Sequence, residues 1–308
     1  MISIIIPSYH SQSTIGECIR SLLAQRIDCS FEILVINSSR DETSRIVKEN
    51  FPTVRFFQLE KRVFAGTARN IGIHEAQGEI LAFIDADCTA PPDWLSKMLS
   101  WHDKGYRAVG GSLVNESRDN IFSRAEYPLE IIAFSPNNPL KEVRFASAAN
   151  CSFRREVFRK YGLFPEIRAG EDLVFCQKIT EKGEKIIFDP EIKVFHKHSI
   201  NLTGYLNKQI MHGKYSFRAR QLARLPGSFI NNPFLFPILL PLLPFIRASG
   251  AIFRSFALKN KLIYDIINTF PLFFLGCMMW SSGYVKGYFN YLFNKHENID
   301  YKPSSDAY

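Results

Sequence analysis

The sequence predicts an α/β fold, with a mostly parallel central sheet and helices on both faces, followed by a basic, apolar helical region. Three observations carry this reading. Short β-branched runs alternate with helical patterns between Ile2 and Ile84. The last of these runs, Ile80-Leu81-Ala82-Phe83-Ile84, delivers Asp85 and Asp87 two residues apart. The positive charge is confined to the end of the chain: residues 1–200 hold 26 Lys/Arg and 26 Asp/Glu, whereas residues 201–295 hold 11 Lys/Arg against the single acid Asp265. Strands alternating with helices at this spacing imply crossover units and a parallel sheet.

Taken in order, Ile2 to Ile6 is a strand stopped by Pro7, and Ser13 caps a helix with Ile15, Ile19, Leu22 and Leu23 on one face. Phe31 to Ile36 is the second strand, Asp41 begins a short helix through Ile46 and Val47, and Val54 to Phe57 is the third strand. A loop at Gly66 opens a helix carrying Ala68, Ile71 and Ala76, and Ile80 to Ile84 is the fourth strand. Pro91-Pro92-Asp93-Trp94 starts a further helix, and Ala108 to Val114 is a strand. Residues 115–145 read as polar, aromatic and irregular, the kind of insertion that shapes a nearby site. Regular structure resumes with a strand at Ala149 to Phe153, a helix from Glu171 through Ile179, and two strands near Ile186–Phe188 and Ile192–Phe195.

The six cysteines are scattered with no Cys-x-x-Cys pair, which argues against a zinc ribbon or a disulfide framework and suits a reducing cytosolic face. Ile2 to Ile6 is too short for a secretory h-region, so no signal peptide is expected. The basic residues are mixed with apolar runs and match no nucleic-acid-binding motif, so an anionic membrane surface, not nucleic acid, is the expected partner.

In a parallel sheet the ligand site lies at the carboxyl ends of the strands. Asp85 and Asp87 fall there, and hard oxygen donors suit a divalent cation carrying phosphates. An Asp-rich turn without function would show the same two residues. Asn37, after the second strand, stands where a base or ribose would rest, although an Asx-turn accounts for it equally well. In Gly66-Thr67-Ala68-Arg69-Asn70-Ile71-Gly72, close helix–sheet packing explains Ala68 and Gly72; Arg69 supplies a charge-assisted donor to an anion. The carboxylates of Gly170-Glu171-Asp172 suit a helix N-terminus even without a function; the functional alternative is a general base. His196 and His198 lie on one side of an extended segment, and one of them is a candidate metal ligand.

In this order the residues resemble the family 2 glycosyltransferases, which have the nucleotide-sugar-binding, Rossmann-like GT-A fold. The resemblance runs from Ser3 to about His198. It is carried by Ile4-Ile5-Ile6-Pro7-Ser8-Tyr9, Val35-Ile36-Asn37-Ser38-Ser39, Ala68-Arg69-Asn70-Ile71-Gly72, Asp85-Ala86-Asp87 and Gly170-Glu171-Asp172. It implies inverting transfer from a nucleoside-diphosphate sugar to an acceptor hydroxyl. In that scheme Asp85 contacts the donor ribose, Pro7, Tyr9, Asn37 and Arg69 complete donor binding, and Asp87, with His196, holds Mg²⁺ or Mn²⁺. Asp172 is then the base, and Asn150 and Glu171 lie on the acceptor side. One departure is Asn37, where the family usually has Asp. A nucleotidyltransferase would open with a Gly-rich basic loop where Pro7-Ser8-Tyr9-His10 stands. A catalytically inactive, sugar-nucleotide-binding scaffold at a membrane is the remaining alternative.

The expected organisation is a catalytic domain over 1–200, a membrane-associated region over 201–295 and a polar tail over 296–308. A basic helix, Asn201 to Arg224, carries Lys208, Lys214, Arg218, Arg220 and Arg224. The run Pro233 to Ile246 is short for a span, and its four prolines oppose a regular helix. Ile266 to Val285 is 20 residues without a charge, long enough to cross. Two crossings would put the loop with Arg247, Arg254, Lys259 and Lys261 outside, against the positive-inside tendency. The first run is therefore expected in the plane of the membrane or re-entrant, and the second either in-plane or a single span. This reading places the chain on the cytoplasmic face of a membrane, with a lipid-linked acceptor as a consequence; the alternative is that the apolar runs form a buried helical subdomain of a soluble protein.

Overall fold

The structure, a computed structural model, describes residues 1–197, 200–257 and 262–293, so His198, Lys259, Lys261 and the tail from 294 lie outside the described residues. The elements in chain order are β1 (Ile2–Ser8), α1 (Ile15–Leu23), β2 (Phe31–Asn37), α2 (Thr43–Asn50), β3 (Arg55–Gln58), α3 (Ala65–Glu75), β4 (Ile80–Ile84), β5 (Cys88–Thr89), α4 (Trp94–Asp103) and β6 (Ala108–Asn115). They continue with α5 (Ile121–Glu130), β7 (Lys141–Val143), β8 (Asn150–Arg154), α6 (Arg155–Tyr161), α7 (Glu171–Glu181) and β9 (Ile186–His196). The remainder is helical: α8 (Leu202–Ala223), α9 (Phe236–Leu239), α10 (Leu243–Ala257), α11 (Leu262–Asn268) and α12 (Phe270–Leu292). The chain divides into two compact units, one of 1–114 with 139–197 and one of 115–138 with the C-terminal helices.

The first unit is built on a sheet in the order β3-β2-β1-β4-β8-β6-β9-β5, with β7 added on β9. The first three pairings, β1 with β2 and β4 and β2 with β3, are parallel. Strand β8 runs against β4 and β6 runs against β8, so β1, β2, β3, β4 and β6 share one direction. The α/β class with helices on both faces of a mostly parallel sheet is therefore what the chain adopts. Ile5, Leu34, Ile36, Leu81 and Phe83 point to one side, into a core with Ala68 and Ile73 of α3 and the aromatic group Phe153, Phe158, Phe164 and Phe175. Phe158 and Phe175 stack at 5.0 Å between ring centroids. Alternate residues Ile4, Ile6, Ile33 and Val35 are buried on the other side, as the period of two requires.

Several local expectations change. Residues 115–145 are not irregular: Asn120 caps α5 by accepting the Ser123 N–H at 2.9 Å, and Lys141–Val143 pairs with β9. The two late strands are one, because Pro190 keeps its carbonyl available to the Ser112 hydroxyl at 2.7 Å and β9 continues through it to His196. Thr14 and Glu42, not Ser13 and Asp41, stand at the N-cap positions of α1 and α2.

In the second unit, α8 and α12 pack so closely that a Cβ at Gly213 would lie 1.9 Å from the Trp280 carbonyl oxygen, and one at Gly283 2.0 Å from that of Ile210. Asp265, the single acid of residues 201–295, pairs with Arg118 at 3.4 Å and Arg124 at 3.1 Å. Lys208 pairs with Glu126 and Glu130, and Arg220 is bonded to the carbonyls of Ser216 and Pro226. Part of the basic charge is thus consumed within the unit.

The two apolar runs also differ from expectation. Phe236–Ala257 is helical throughout, with a 3-10 turn over Leu240–Leu242, because Pro237 and Pro241 sit in first turns where no N–H is required. By length and composition it could cross a membrane. The run from Ile266 to Val285 is broken: α11 and α12 meet at 93°, with Thr269 at the break and Pro271 just after it. This unit exposes large apolar residues, including Phe234 at 84%, Ile238, Phe245, Phe253 at 73% and Phe256, with Tyr264 and Ile267 on α11.

Candidate active site

The carboxyl ends of β1, β2 and β4 present Tyr9, Asn37, Asp85 and Asp87, so the parallel sheet brings together residues that are far apart in sequence. Asp85 directly follows β4, and its Oδ1 accepts from Arg69 at 2.5 Å. Arg69, on the first turns of α3, donates its other terminal nitrogen to Glu171 Oε1 at 2.6 Å. Arg69, expected at the donor, is 3% exposed, and both of its terminal nitrogens are held by protein carboxylates. Burial alone would lower its proton affinity, but Asp85, Glu171 and Asp172 outweigh that and hold the guanidinium charged.

Glu171 and Asp172 form the first turn of α7, entered through Gly170 in the left-handed region. Burial pushes the proton affinity of Glu171 up against the pull of Arg69. Asp172 is less enclosed; its Oδ2 accepts the Ala148 N–H at 3.1 Å and its Oδ1 the Leu173 N–H at 2.8 Å. Its proton affinity is also raised, chiefly by burial, with the Ala148 hydrogen bond opposing.

Asp87 lies on the other side of Asp85. Strand β5 pairs antiparallel with β9 so that Cys88 faces His196, and His196 Nε2 comes to 3.3 Å from Asp87 Oδ2. Ligand atoms of Asp87, Cys88 and His196 all lie within 4.8 Å of one another. Cys88 is fully buried, and burial together with Asp87 pushes its thiol far from ionisation. A carboxylate oxygen and an imidazole nitrogen fit Mn²⁺ and, with more oxygen donors, Mg²⁺. Asp87, Cys88 and His196 are thus the described residues that could hold such an ion.

Asn37 and Asn150, expected at the donor base and on the acceptor side, are both enclosed by protein. Asn37 is 0% exposed; its amide donates to Ser39 O and Gln58 Oε1, both at 3.0 Å, and accepts the Ser39 hydroxyl. It shapes the loop after β2, and its polar atoms already have protein partners. Asn150 is also 0% exposed: it accepts from Trp94 Nε1 at 2.8 Å and donates to the carbonyls of Ser112 and Ile192. It ties Trp94, Ser112 and Ile192 together from within the sheet.

Pro7 lies within β1 opposite Ile36, and Tyr9 is exposed just beyond the strand. The Arg62 guanidinium sits 4.3 Å from the Tyr9 ring centroid, a cation–π pair at the expected nucleotide end. Sequence gave no signal for Arg62, since a Lys61-Arg62 pair after a strand is ordinary surface composition. Asn70, which, like Arg69, helix–sheet packing of small residues does not explain, is bonded twice to Phe164.

Comparison with known proteins bears on the fold and the family. A glycosyltransferase of Haloferax volcanii, AglE, is 26% identical over 231 residues, covering 73% of this chain and 75% of that protein. A glucosyl-dolichyl phosphate glucuronosyltransferase of the same organism is 24% identical over 218 residues, 64% of this chain and 69% of that protein. Among solved structures, the mannosyltransferase PcManGT of Pyrobaculum calidifontis, in complex with GDP-Man and Mn²⁺, shares the fold with a TM-score of 0.63 at 21% identity, over 96% of this chain and 88% of its own. The description Glycosyl transferase family 2 matches residues 3–162, more than half of the chain. With its α/β sheet and a carboxylate cluster at the strand ends, this chain belongs to glycosyl transferase family 2.

Proposed function

We propose that the protein transfers a sugar, with inversion, from a nucleoside-diphosphate donor to a hydroxyl of a lipid-linked or cell-envelope glycan, with Mn²⁺ or Mg²⁺ as cofactor. The observation that carries the reading is the Asp87–His196 pair beside Asp85 at the end of β4, in the same unit as the half-buried carboxylate of Asp172. Asp87 and His196 would hold a divalent ion, which would supply charge neutralisation for the leaving diphosphate. Asp85 keeps a second carboxylate oxygen to accept from a ribose hydroxyl.

Asp172 takes the proton of the acceptor hydroxyl as that oxygen forms its bond to the anomeric carbon and the bond to the diphosphate breaks. A single displacement of this kind inverts the anomeric configuration. The raised proton affinity of Asp172 suits a base, and its two backbone hydrogen bonds fix the carboxylate without neutralising it. Tyr9 and Arg62 offer a stacking and cationic surface for the nucleotide.

We assign the catalytic domain to residues 1–200 apart from 115–138, and membrane association to 201–295, at the cytoplasmic face. Exposed Ile238, Phe245, Phe253 and Phe256 along the helical stretch Phe236–Ala257, with Phe234 just before it, support an in-plane attachment, and similarity to a glucosyl-dolichyl phosphate glucuronosyltransferase supports a lipid-linked acceptor. The deciding experiment is a screen of UDP- and GDP-sugars with lipid-phosphate acceptors, reading released nucleoside diphosphate and the product anomer. Transfer with inversion in the presence of Mn²⁺ is expected. Donor binding without release for every combination would favour the non-catalytic scaffold, and a retained anomer would remove the single-displacement mechanism.

A further inference from the structure

We propose that Arg69 and Glu171 are positioning residues, forming with Asn70 a clamp by which α3 sets the base-bearing helix α7 against the donor strand β4. The inference takes the identity of base and donor carboxylate from the function proposed above and assigns to its neighbours a task that function does not include.

Three contacts on α3 grip the segment that leads into α7. Asn70 Nδ2 donates to the Phe164 carbonyl at 2.9 Å while the Phe164 N–H donates to Asn70 Oδ1 at 3.0 Å. A Cβ at Gly66 would lie 3.0 Å from Glu171 Cγ and 3.1 Å from the Pro165 carbonyl oxygen, so α3 approaches this segment as closely as a residue without a side chain permits. Arg69 completes the grip through Glu171 at 2.6 Å and, from the same guanidinium, holds Asp85 at 2.5 Å. One rigid planar group thus fixes the distance between the end of β4 and the first residue of α7. Asp172 is the next residue.

Burial makes this arrangement stiff. Arg69 and Glu171 are 3% and 6% exposed, and the Arg69 Nε is enclosed with no hydrogen-bond acceptor. A charged group in such surroundings keeps its partners because separation would leave an uncompensated charge. Neither residue offers a surface to donor or acceptor, so their effect on the reaction passes through Asp85 and Asp172.

The test uses the full chain carrying Glu171→Gln, Asp172→Asn and both together. Glu171→Gln is expected to leave the donor Kd within about threefold while turnover falls about 10-fold or more, and the double variant should lose little beyond Asp172→Asn, since both changes act through one carboxylate. Effects that multiply would show that Glu171 acts independently, and a raised acceptor KM at unchanged kcat would show an acceptor contact; either overturns the proposal. Hydrogen exchange of the peptide covering residues 170–175 supplies a reading independent of catalysis. Exchange should quicken in Glu171→Gln, and an unchanged rate overturns the clamp even if Asp172→Asn proves fully active and the base assignment fails. If Glu171→Gln does not fold, Glu171→Asp, which keeps the charge but shortens the reach, takes its place with the same readings.

Discussion

His196 Nε2 lies 3.3 Å from Asp87 Oδ2, although the two residues are 109 positions apart, because the antiparallel register of β5 on β9 places His196 directly across from Cys88. The Lys197 N–H reinforces the pairing by donating to the Asp87 carbonyl at 2.9 Å. A one-residue slip would turn the imidazole to the opposite face of the sheet and dissolve the pair.

Asp87→Asn should therefore weaken metal and donor binding together, since an amide cannot replace a charged oxygen ligand to a hard dication. Titration of Mn²⁺ into the donor-free protein and donor binding with and without chelator check this. Full activity of the unsubstituted protein in excess chelator would remove the metal from the scheme.

Asp172→Asn should preserve donor affinity while turnover falls by about 10²-fold or more, the loss expected for a positioned general base. Separate measurement of donor Kd and kcat distinguishes this from a general loss of structure, in which both would decline.

Asn37→Asp should destabilise the fold. The substitution replaces two hydrogen-bond donors with a buried carboxylate facing Ser39 O and Gln58 Oε1. A cost of about 2 kcal/mol or more is expected, read as a lower denaturant midpoint at neutral pH. Stability equal to that of the unsubstituted chain would mean that the loop after β2 readily rearranges.

His102 should make stability depend on pH. Its imidazole is fully enclosed between Tyr106 O and Ser152 Oγ, each at 2.8 Å, and burial pushes its pKa down to about 4. The unfolded chain takes up a proton near the ordinary value of about 6.5 while the folded chain does not. The contribution is thus complete above pH 6.5 and is lost as pH falls toward 4, amounting to roughly 3 kcal/mol. Denaturation between pH 7 and 4 should show a steeper loss for the unsubstituted chain than for His102→Gln.

Membrane attachment should respond to the exposed aromatic face. In the full chain, Phe245→Glu with Phe253→Glu should reduce binding to anionic phospholipid vesicles by at least about 10-fold, because each phenyl contributes about 1.5–3 kcal/mol when buried in apolar surroundings. High salt should remove only part of the binding of the unsubstituted chain, since the apolar part is insensitive to it. Complete release by salt would show that basic residues alone hold the surface.

Much of the fold is local and was legible. Unbroken β-branched runs at Ile2 and Ile80, and helical spacing through Ile15 and Leu22, fix strands and helices by period. Alternation of those elements dictates a parallel sheet, and a parallel sheet dictates that Asp85 and Asp87 stand at its ligand-binding end. What remained hidden depended on partners remote in sequence. Arg69 carries no mark that its charge is consumed by Glu171, 102 residues away, or that Asn150 is sealed in the sheet by Trp94. The charge-free run through Ile266–Val285 satisfies the length of a membrane span, yet α11 and α12 turn by 93° at Thr269 and glycines hold α12 against α8. Hydrophobic pattern determines which residues leave water. Whether they meet the sheet, another helix or a lipid surface, and which carboxylate reaches which cation, is decided by strand register and helix approach, to which many short segments contribute at once.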